Sequence, residues 1–248
     1  MAEALRIAHC ADIHLDGEIA GRRAIEHYRN GFAAALAEIR AHRPDVMLFE
    51  GDLFDTNRAT SETIEWAMEM LGRQPFPIVM IPGNHDCMEE GAIYRRHDFG
   101  RISNVQMLAA PEGGVVRVPQ LALAAWGKGM VEHSKSNSPL GGCPDRPTDC
   151  RWFVGLGHGM FVPHGGSSDR SSPIHMREIE ASACDYVALG HHHAAMELVT
   201  DKATAAYCGS PTDNLGRGAT YVIADLTAGA APIVTVHTIG QPGAAPRA

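Results

Sequence analysis

Five short clusters rich in Asp, His and Asn are strung in order along the chain: Asp12-Ile13-His14, Gly51-Asp52-Leu53-Phe54-Asp55, Gly83-Asn84-His85-Asp86, Gly157-His158-Gly159 and Gly190-His191-His192-His193. Carboxylate, imidazole and amide oxygen are donors for divalent cations, and a mixed set suits Mn, Fe, Zn or Co better than an all-oxygen cage. Two such cations about 3.5–4 Å apart, bridged by an anionic ligand, acidify a water enough to attack phosphorus at neutral pH. The chemistry expected is two-metal hydrolysis, with Asp as the bridge and His and Asn as neutral arms. Manganese is the expected metal; Fe, Zn, Co or Mg are alternatives.

Each cluster alone has a plainer reading. Asp12 and His14 could end a strand in solvent, Asp52 could cap a helix, three adjacent histidines could be a surface tract, and His158 could be a satisfied core histidine. Their common placement outweighs those readings. Every cluster follows a short apolar run, so each would emerge where a buried strand ends, and open α/β sheets keep their ligands in that crevice. Gly51, Gly83, Gly157 and Gly190 each precede a proposed donor, where a missing side chain lets the backbone turn sharply and come close.

The elements that must position these groups are readable from periodicity. Leu5 to Ala11 reads as a strand delivering Asp12 and His14 to one side, if the extended backbone continues. From Arg22 to His42, Ile25, Tyr28, Phe32, Leu36 and Ile39 recur at helical steps, and Pro44 stops the run. A strand at Asp45 to Glu50, a helix at Ser61 to Gly72 and a strand at Pro77 to Pro82 complete an alternation that implies a parallel sheet.

Val105 to Ala109, Val115 to Val118 and Leu121 to Trp126 look like hairpins. Phe153 to Leu156 delivers His158, a short helix lies near His175 to Ser182, and Tyr186 to Leu189 presents the histidine triplet. Strands around Glu197 to Thr200, Ala203 to Tyr207, Tyr221 to Asp225 and Ile233 to Ile239 follow. Segments 128–151 and 163–173 read as long loops of unassigned role. Residues 240–248 are expected to be a disordered tail.

The chain has 248 residues, 45% of them hydrophobic, enough for one large domain. Its six cysteines form no CxxC pair, and its start lacks a signal-peptide pattern, so a cytoplasmic protein is expected. Cys10 and Cys87 lie beside two clusters and are read as buried thiols ahead of ligands. No apolar run approaches a membrane span. A net charge of −8 argues against a protein that coats DNA irrespective of sequence, but not against a phosphodiester substrate. All but three of the 21 basic residues are Arg.

The series Asp-x-His, Gly-Asp-x-x-Asp, Gly-Asn-His-Asp, His and Gly-His-x-His resembles the calcineurin-like metallophosphoesterase superfamily over nearly the whole chain. Its flanking words, His9-Cys-Ala-Asp-Ile-His-Leu-Asp16, Gly51-Asp-Leu-Phe-Asp-Thr56, Ile81-Pro-Gly-Asn-His-Asp86, Asp185-Tyr-Val-Ala-Leu-Gly-His-His-His193 and Tyr207-Cys-Gly-Ser-Pro211, are most similar to SbcD-type DNA repair exonucleases.

The resemblance implies a four-layer α-β-β-α sandwich over residues 1–239, two mixed sheets with helices outside. It implies that Asp12, His14 and His193 hold one metal and Asn84, His158 and His191 the other, with Asp52 bridging. His85 would stabilise the transition state or protonate the leaving oxygen, oriented by Asp86, while His192 points away. The reaction implied is in-line attack of a metal-bridging hydroxide on a phosphodiester: a Mn-dependent DNA nuclease, or alternatively a phosphoesterase of small cyclic nucleotides or nucleotide esters.

SbcD-type nucleases continue into a DNA-binding cap and a segment that grips an ATPase partner, neither of which is expected here. The ATPase partner and a homodimer are left open. Arg22, Arg23, Arg58, Arg95, Arg96 and Arg101 are the candidates for gripping DNA, and solvated helix faces explain them equally well.

Overall fold

The structure is a computed structural model and describes residues 3–213 and 215–240. Two six-stranded sheets lie face to face. The first runs in the order Ile233–Thr238, Thr220–Thr227, Ala4–Cys10, Val46–Glu50, Ile78–Ile81, Val105–Met107. Its last four strands are parallel and the first two join antiparallel. The helices Ile25–Ala41 and Ser61–Gly72 are the crossovers between the first three parallel strands.

The second sheet runs in the order Ala195–Val199, Thr204–Cys208, Tyr186–Gly190, Trp152–His158, Leu123–Gly127, Gly114–Val118. It is parallel in the middle and antiparallel at both edges. The α/β sandwich with two mixed sheets is the architecture expected.

Alternation along the strands explains the layering, because successive side chains leave opposite faces of a sheet. Leu5, Ile7, Val46, Leu48, Val79 and Ile81 face the second sheet, where they pack with Val154, Leu156 and Ala188. Their neighbours Ala8, Cys10, Met47, Phe49, Ile78 and Met80 face outward onto Phe32, Leu36, Ile64 and Leu71 of the helices. Both faces are apolar, as parallel strands require. Over the outer face of the second sheet, Phe153, Val187, Leu189 and Tyr207 are covered by Leu140, Ile174 and Ile179. The helix there, Met176–Ala181, is short, so the irregular 128–151 segment supplies part of that layer.

Two expectations are corrected. The first helix starts at Ile25, and Arg22–Arg23 instead pairs with Glu18–Ile19 in a small hairpin ahead of it. Val105–Met107 is no hairpin strand: its first residue pairs in parallel with Ile78, so it extends the first sheet. The antiparallel pairing expected there is confined to Gly114–Val118 with Leu123–Gly127, turned by a left-handed Ala122. The tail expected at 240–248 lies outside the described residues from 241 onward.

Candidate metal centre

The clusters meet at one end of the sandwich, where strands of both sheets stop. Strand Ala4–Cys10 ends before Asp12, and the chain does not stay extended as the sequence suggested: Asp12 and His14 have φ of 58° and 57°, in the left-handed region. Asp52 (φ 55°) and His191 (φ 93°) share this trait. Left-handed backbone costs a non-glycine residue on the order of 1–3 kcal/mol and persists only where surroundings over-determine it.

Here a lattice of main-chain bonds does so. The Ile13 and His14 amides both donate to the Asp52 carbonyl at 2.8 and 3.0 Å, and Asp12 N donates to Gly51 O at 3.1 Å. Ser210 Oγ donates to Asp12 O at 2.7 Å and Thr212 Oγ1 to Ile13 O at 3.1 Å. The Gly209-Ser210-Pro211 word thus fastens the first cluster.

Glycines allow the closest approaches. A Cβ on Gly51, itself at φ +85°, would lie 2.5 Å from the Gly83 backbone, and one on Gly83 would collide with the Asp52 carboxylate.

All seven proposed ligands converge. His14 Nε2 lies 3.2 Å from His193 Nε2, which is 3.6 Å from Asp12 Oδ1. Asn84 Oδ1 sits between His158 Nε2 at 3.0 Å and His191 Nδ1 at 2.8 Å. Asp52 stands between the two groups, its Oδ2 3.3 Å from His158 Nε2 and 3.8 Å from His14 Nε2. Asp12, Asp52 and His158 are almost wholly buried. Imidazole nitrogens facing one another at such spacings fit donors arranged about shared cations, whose bonds to nitrogen are about 2.0–2.1 Å.

The charges agree with that fit. Burial raises the Asp12 carboxyl, offset by His158 and His193. Burial also works against ionised Asp52, but the charge and hydrogen bond of His158, with His14 and His85, outweigh it and hold Asp52 well below the ordinary range. Burial opposes a charged His158, yet Asp52 and Asp12 carry its pKa up to about 9. His191, buried beside cationic His158, falls to about 3. An ionised carboxylate between the two groups of donors and a neutral imidazole beside it follow from position alone.

His85 stands outside this set, 43% exposed, its ring edge-on to His14 with centroids 4.6 Å apart. Its Nδ1 donates to the Asp55 carbonyl at 2.8 Å, leaving Nε2 for other partners. Asp86 does not orient it. Instead Asp86, fully buried, accepts from the amides of Gly83, Leu53, Asp52 and Phe54 and from Tyr94 Oη at 2.6 Å. It organises the backbone that carries Asp52. His192 turns away, bonding Ala194 O at 2.8 Å against Tyr207.

Sequence reading missed two supports. Asp55 Oδ1 lies 3.1 Å from His14 Nδ1, which aims the opposite nitrogen at the site. Its signal was the second carboxylate of the Gly-Asp-x-x-Asp word. Behind the site, buried His9 contacts a Glu50 carboxylate oxygen at 2.8 Å and Tyr186 Oη at 3.0 Å. A Glu inside an apolar strand was the available sign. Cys10 packs in the helix-facing core and Cys87 is half-buried, both as free thiols.

Residues 5–195 match the Calcineurin-like phosphoesterase family, and the chain belongs to it. It is an enzyme fold with a candidate metal centre. Over 216 residues the chain is 26% identical to the SbcD subunit of the nuclease SbcCD from Staphylococcus epidermidis, an overlap covering 76% of this chain and 57% of that protein. The chain therefore spans little more than half the length of that relative. Among solved structures, it is similar to TT1561 of Thermus thermophilus, with a TM-score of 0.60, 10% identity and coverage of 96% and 100% of the two chains. It is also similar to a dimetal phosphatase from Danio rerio, at 0.59, 11% identity and coverage of 95% and 99%. At these identities the likeness concerns the fold. No described helix is long and apolar enough to cross a membrane.

Proposed function

We propose that the protein is a two-metal phosphodiesterase, and that its substrate is DNA, hydrolysed with manganese as by SbcD-type nucleases. The observation that carries the reading is the convergence of six donors around Asp52, with His85, close enough to His14 and Asp52 to share a cation with them, assigned the role beside the metals because it is exposed and stands against His14. Asp12, His14 and His193 would hold one cation, Asn84, His158 and His191 the other, and Asp52 both. Bound cations supply Lewis acidity, neutralising phosphate charge and lowering the pKa of a water nucleophile.

The chain's own residues do the rest. Asp55 holds His85 through its carbonyl, so that Nε2 is presented to the phosphate or to the leaving oxygen, which needs a proton as the P–O bond breaks. Asp12 also accepts from the His191 amide at 2.9 Å, which fixes the turn between the two histidine ligands.

A second reading, a small phosphodiester substrate, is favoured by the state of the arginines. Arg95 is tied to Met88 O, Arg96 to Gly91 O and Asn57 O, and Arg101 pairs with Asp98. Those three are exposed but already bonded within the protein, and Arg22, Arg23 and Arg58 are exposed as well. The relative is a subunit of a nuclease, so a protein partner belongs to the first reading.

Purified protein loaded with Mn is to be incubated with single- and double-stranded DNA, bis-p-nitrophenyl phosphate and a cyclic nucleotide. Cleavage of DNA that His85→Ala lowers by roughly 10²–10⁴-fold, with metal content unchanged, supports the first reading. Hydrolysis of the small esters with inert DNA replaces it with the second. Inertness toward all four ends both.

A further inference from the structure

The 128–151 segment is a long loop without regular structure, yet it is firmly built. The Met88 amide donates to Met130 O at 2.7 Å, tying the segment to the turn after His85-Asp86. Ser172 N donates to Ser134 O at 2.8 Å, Asn137 Nδ2 to Ser172 Oγ at 2.9 Å, and Ser138 Oγ to Glu178 Oε1 at 2.8 Å. Between the first two anchors lies His133. Its ring meets that of His191 edge-on with centroids 5.3 Å apart, it bonds the Ser171 backbone, and the charges of His158, Asp52 and His85 act on it.

His133 is exposed on its solvent side and belongs to none of the His, Cys, Asp and Glu groups close enough to share a cation among the described residues. The arrangement is two-sided: His85 abuts His14 on one flank of Asp52, and His133 abuts His191 on the other. A phosphate seated over Asp52 would meet an imidazole on each flank.

We infer that His133 is a phosphate-contacting residue, donating an N–H to a non-bridging oxygen of the ester on the side of Asn84, His158 and His191. The inference rests on the reading of this site as a phosphodiesterase centre. It gives the 128–151 loop a function: the loop carries the second imidazole of a clamp whose first is His85. An N–H donor there suits a phosphodiester, whose single negative charge is shared by two non-bridging oxygens that the cations and His85 would not fully surround. A purely structural role, with the ring merely buttressing His191, makes different predictions.

The test compares wild type with His133→Phe, which keeps an aromatic ring against His191 but has no N–H, and His133→Gln, which keeps a donor without the ring. Three readouts are taken on the full chain: Mn stoichiometry and affinity, binding of inorganic phosphate to the Mn-loaded protein by calorimetry, and kcat and KM on bis-p-nitrophenyl phosphate. The expected result is unchanged Mn binding in all three proteins. Phosphate affinity and kcat/KM should fall roughly 10–100-fold in His133→Phe and recover to within about fivefold of wild type in His133→Gln.

Equal phosphate binding by His133→Phe and wild type overturns the inference, as does a loss confined to Mn affinity, which would mark the ring as a buttress. Phosphate bound with His133-dependent affinity but no turnover sinks the hydrolytic reading and leaves this one standing. Wild type that binds Mn but no phosphate sinks both.

Discussion

His158 Nδ1 donates to the main-chain carbonyl of Glu50 at 2.6 Å, joining the strand Trp152–His158 of the second sheet to the strand Val46–Glu50 of the first. This bond directs Nε2 of His158 toward Asn84 and Asp52. The residue that lets the sheets approach is Gly190, where a Cβ would collide with the same Glu50 carbonyl and come within 2.9 Å of His158 Nδ1.

Gly190→Ala therefore forces the sheets apart where the ligands meet. The expected cost is roughly 1–3 kcal/mol of overpacking, with weaker binding of added Mn. Denaturant unfolding and metal titration check this; a variant with wild-type stability and wild-type Mn affinity would show that the approach is not enforced.

The metal-free protein should depend on pH through His158. Its folded pKa, about 9, lies above the unfolded value of about 6.5, so its contribution is complete below pH 6.5 and lost as pH rises through 9. Asp52 is depressed, so its contribution exists above the unfolded carboxyl value and disappears in acid. These are two descriptions of one ion pair and are not summed. With chelator present, the melting temperature should fall by roughly 5–10 °C between pH 7 and 10, a loss of roughly 2–4 kcal/mol. His158 would hold a cation through the nitrogen that otherwise carries the extra proton, so with Mn added that fall should shrink. Parallel curves with and without Mn would contradict the assignment.

The alternation of strand and helix up to Ile81 could be read because it rests on local pattern, period 2 or 3.6, and the clusters stood out by donor type at strand ends, whereas the sharing of the donors between two cations came only from the resemblance to a family. What escaped depends on tertiary contact. Nothing local says that Val105 pairs with Ile78, because a short apolar strand carries no record of its neighbour. Arg22 fitted the helical pattern but lies in a hairpin closed by Gly21 at φ +73°. Asp86 was placed beside His85 because they are adjacent in sequence. Its carboxylate turns instead to backbone amides of another cluster more than thirty residues away, a choice made by unsatisfied donors in a buried turn.

Asp86→Asn tests that reassignment. The carboxylate accepts from four amides and one hydroxyl, whereas an amide side chain has one accepting oxygen and turns two donors toward amides that are donors themselves. Destabilisation of roughly 2–4 kcal/mol is expected, with Mn affinity falling because Asp52 loses its backbone support. Tyr94→Phe, removing one donor only, should cost about 1 kcal/mol and leave Mn binding nearly intact. Were Asp86→Asn to change only the activity attributed to His85, the sequence-based placement would be restored.

Asp55 serves two histidines by two different atoms, and the two roles can be separated. Its carboxylate orients His14, and His14 in turn holds the Asp55 carboxyl below its ordinary range; its main-chain carbonyl holds His85. Asp55→Ala removes the first and spares the second. Loss of a carboxylate that orients a metal-bound imidazole typically costs 10–100-fold in metal affinity, so the Mn concentration for half-maximal activity should rise by about that factor. At saturating Mn, kcat should return to within about threefold of wild type, because His85 still bonds the carbonyl of residue 55. A kcat that stays low at saturating Mn would place the Asp55 carboxylate in the chemical step, acting on His85 through the longer 3.8 Å contact between Oδ1 and Nδ1.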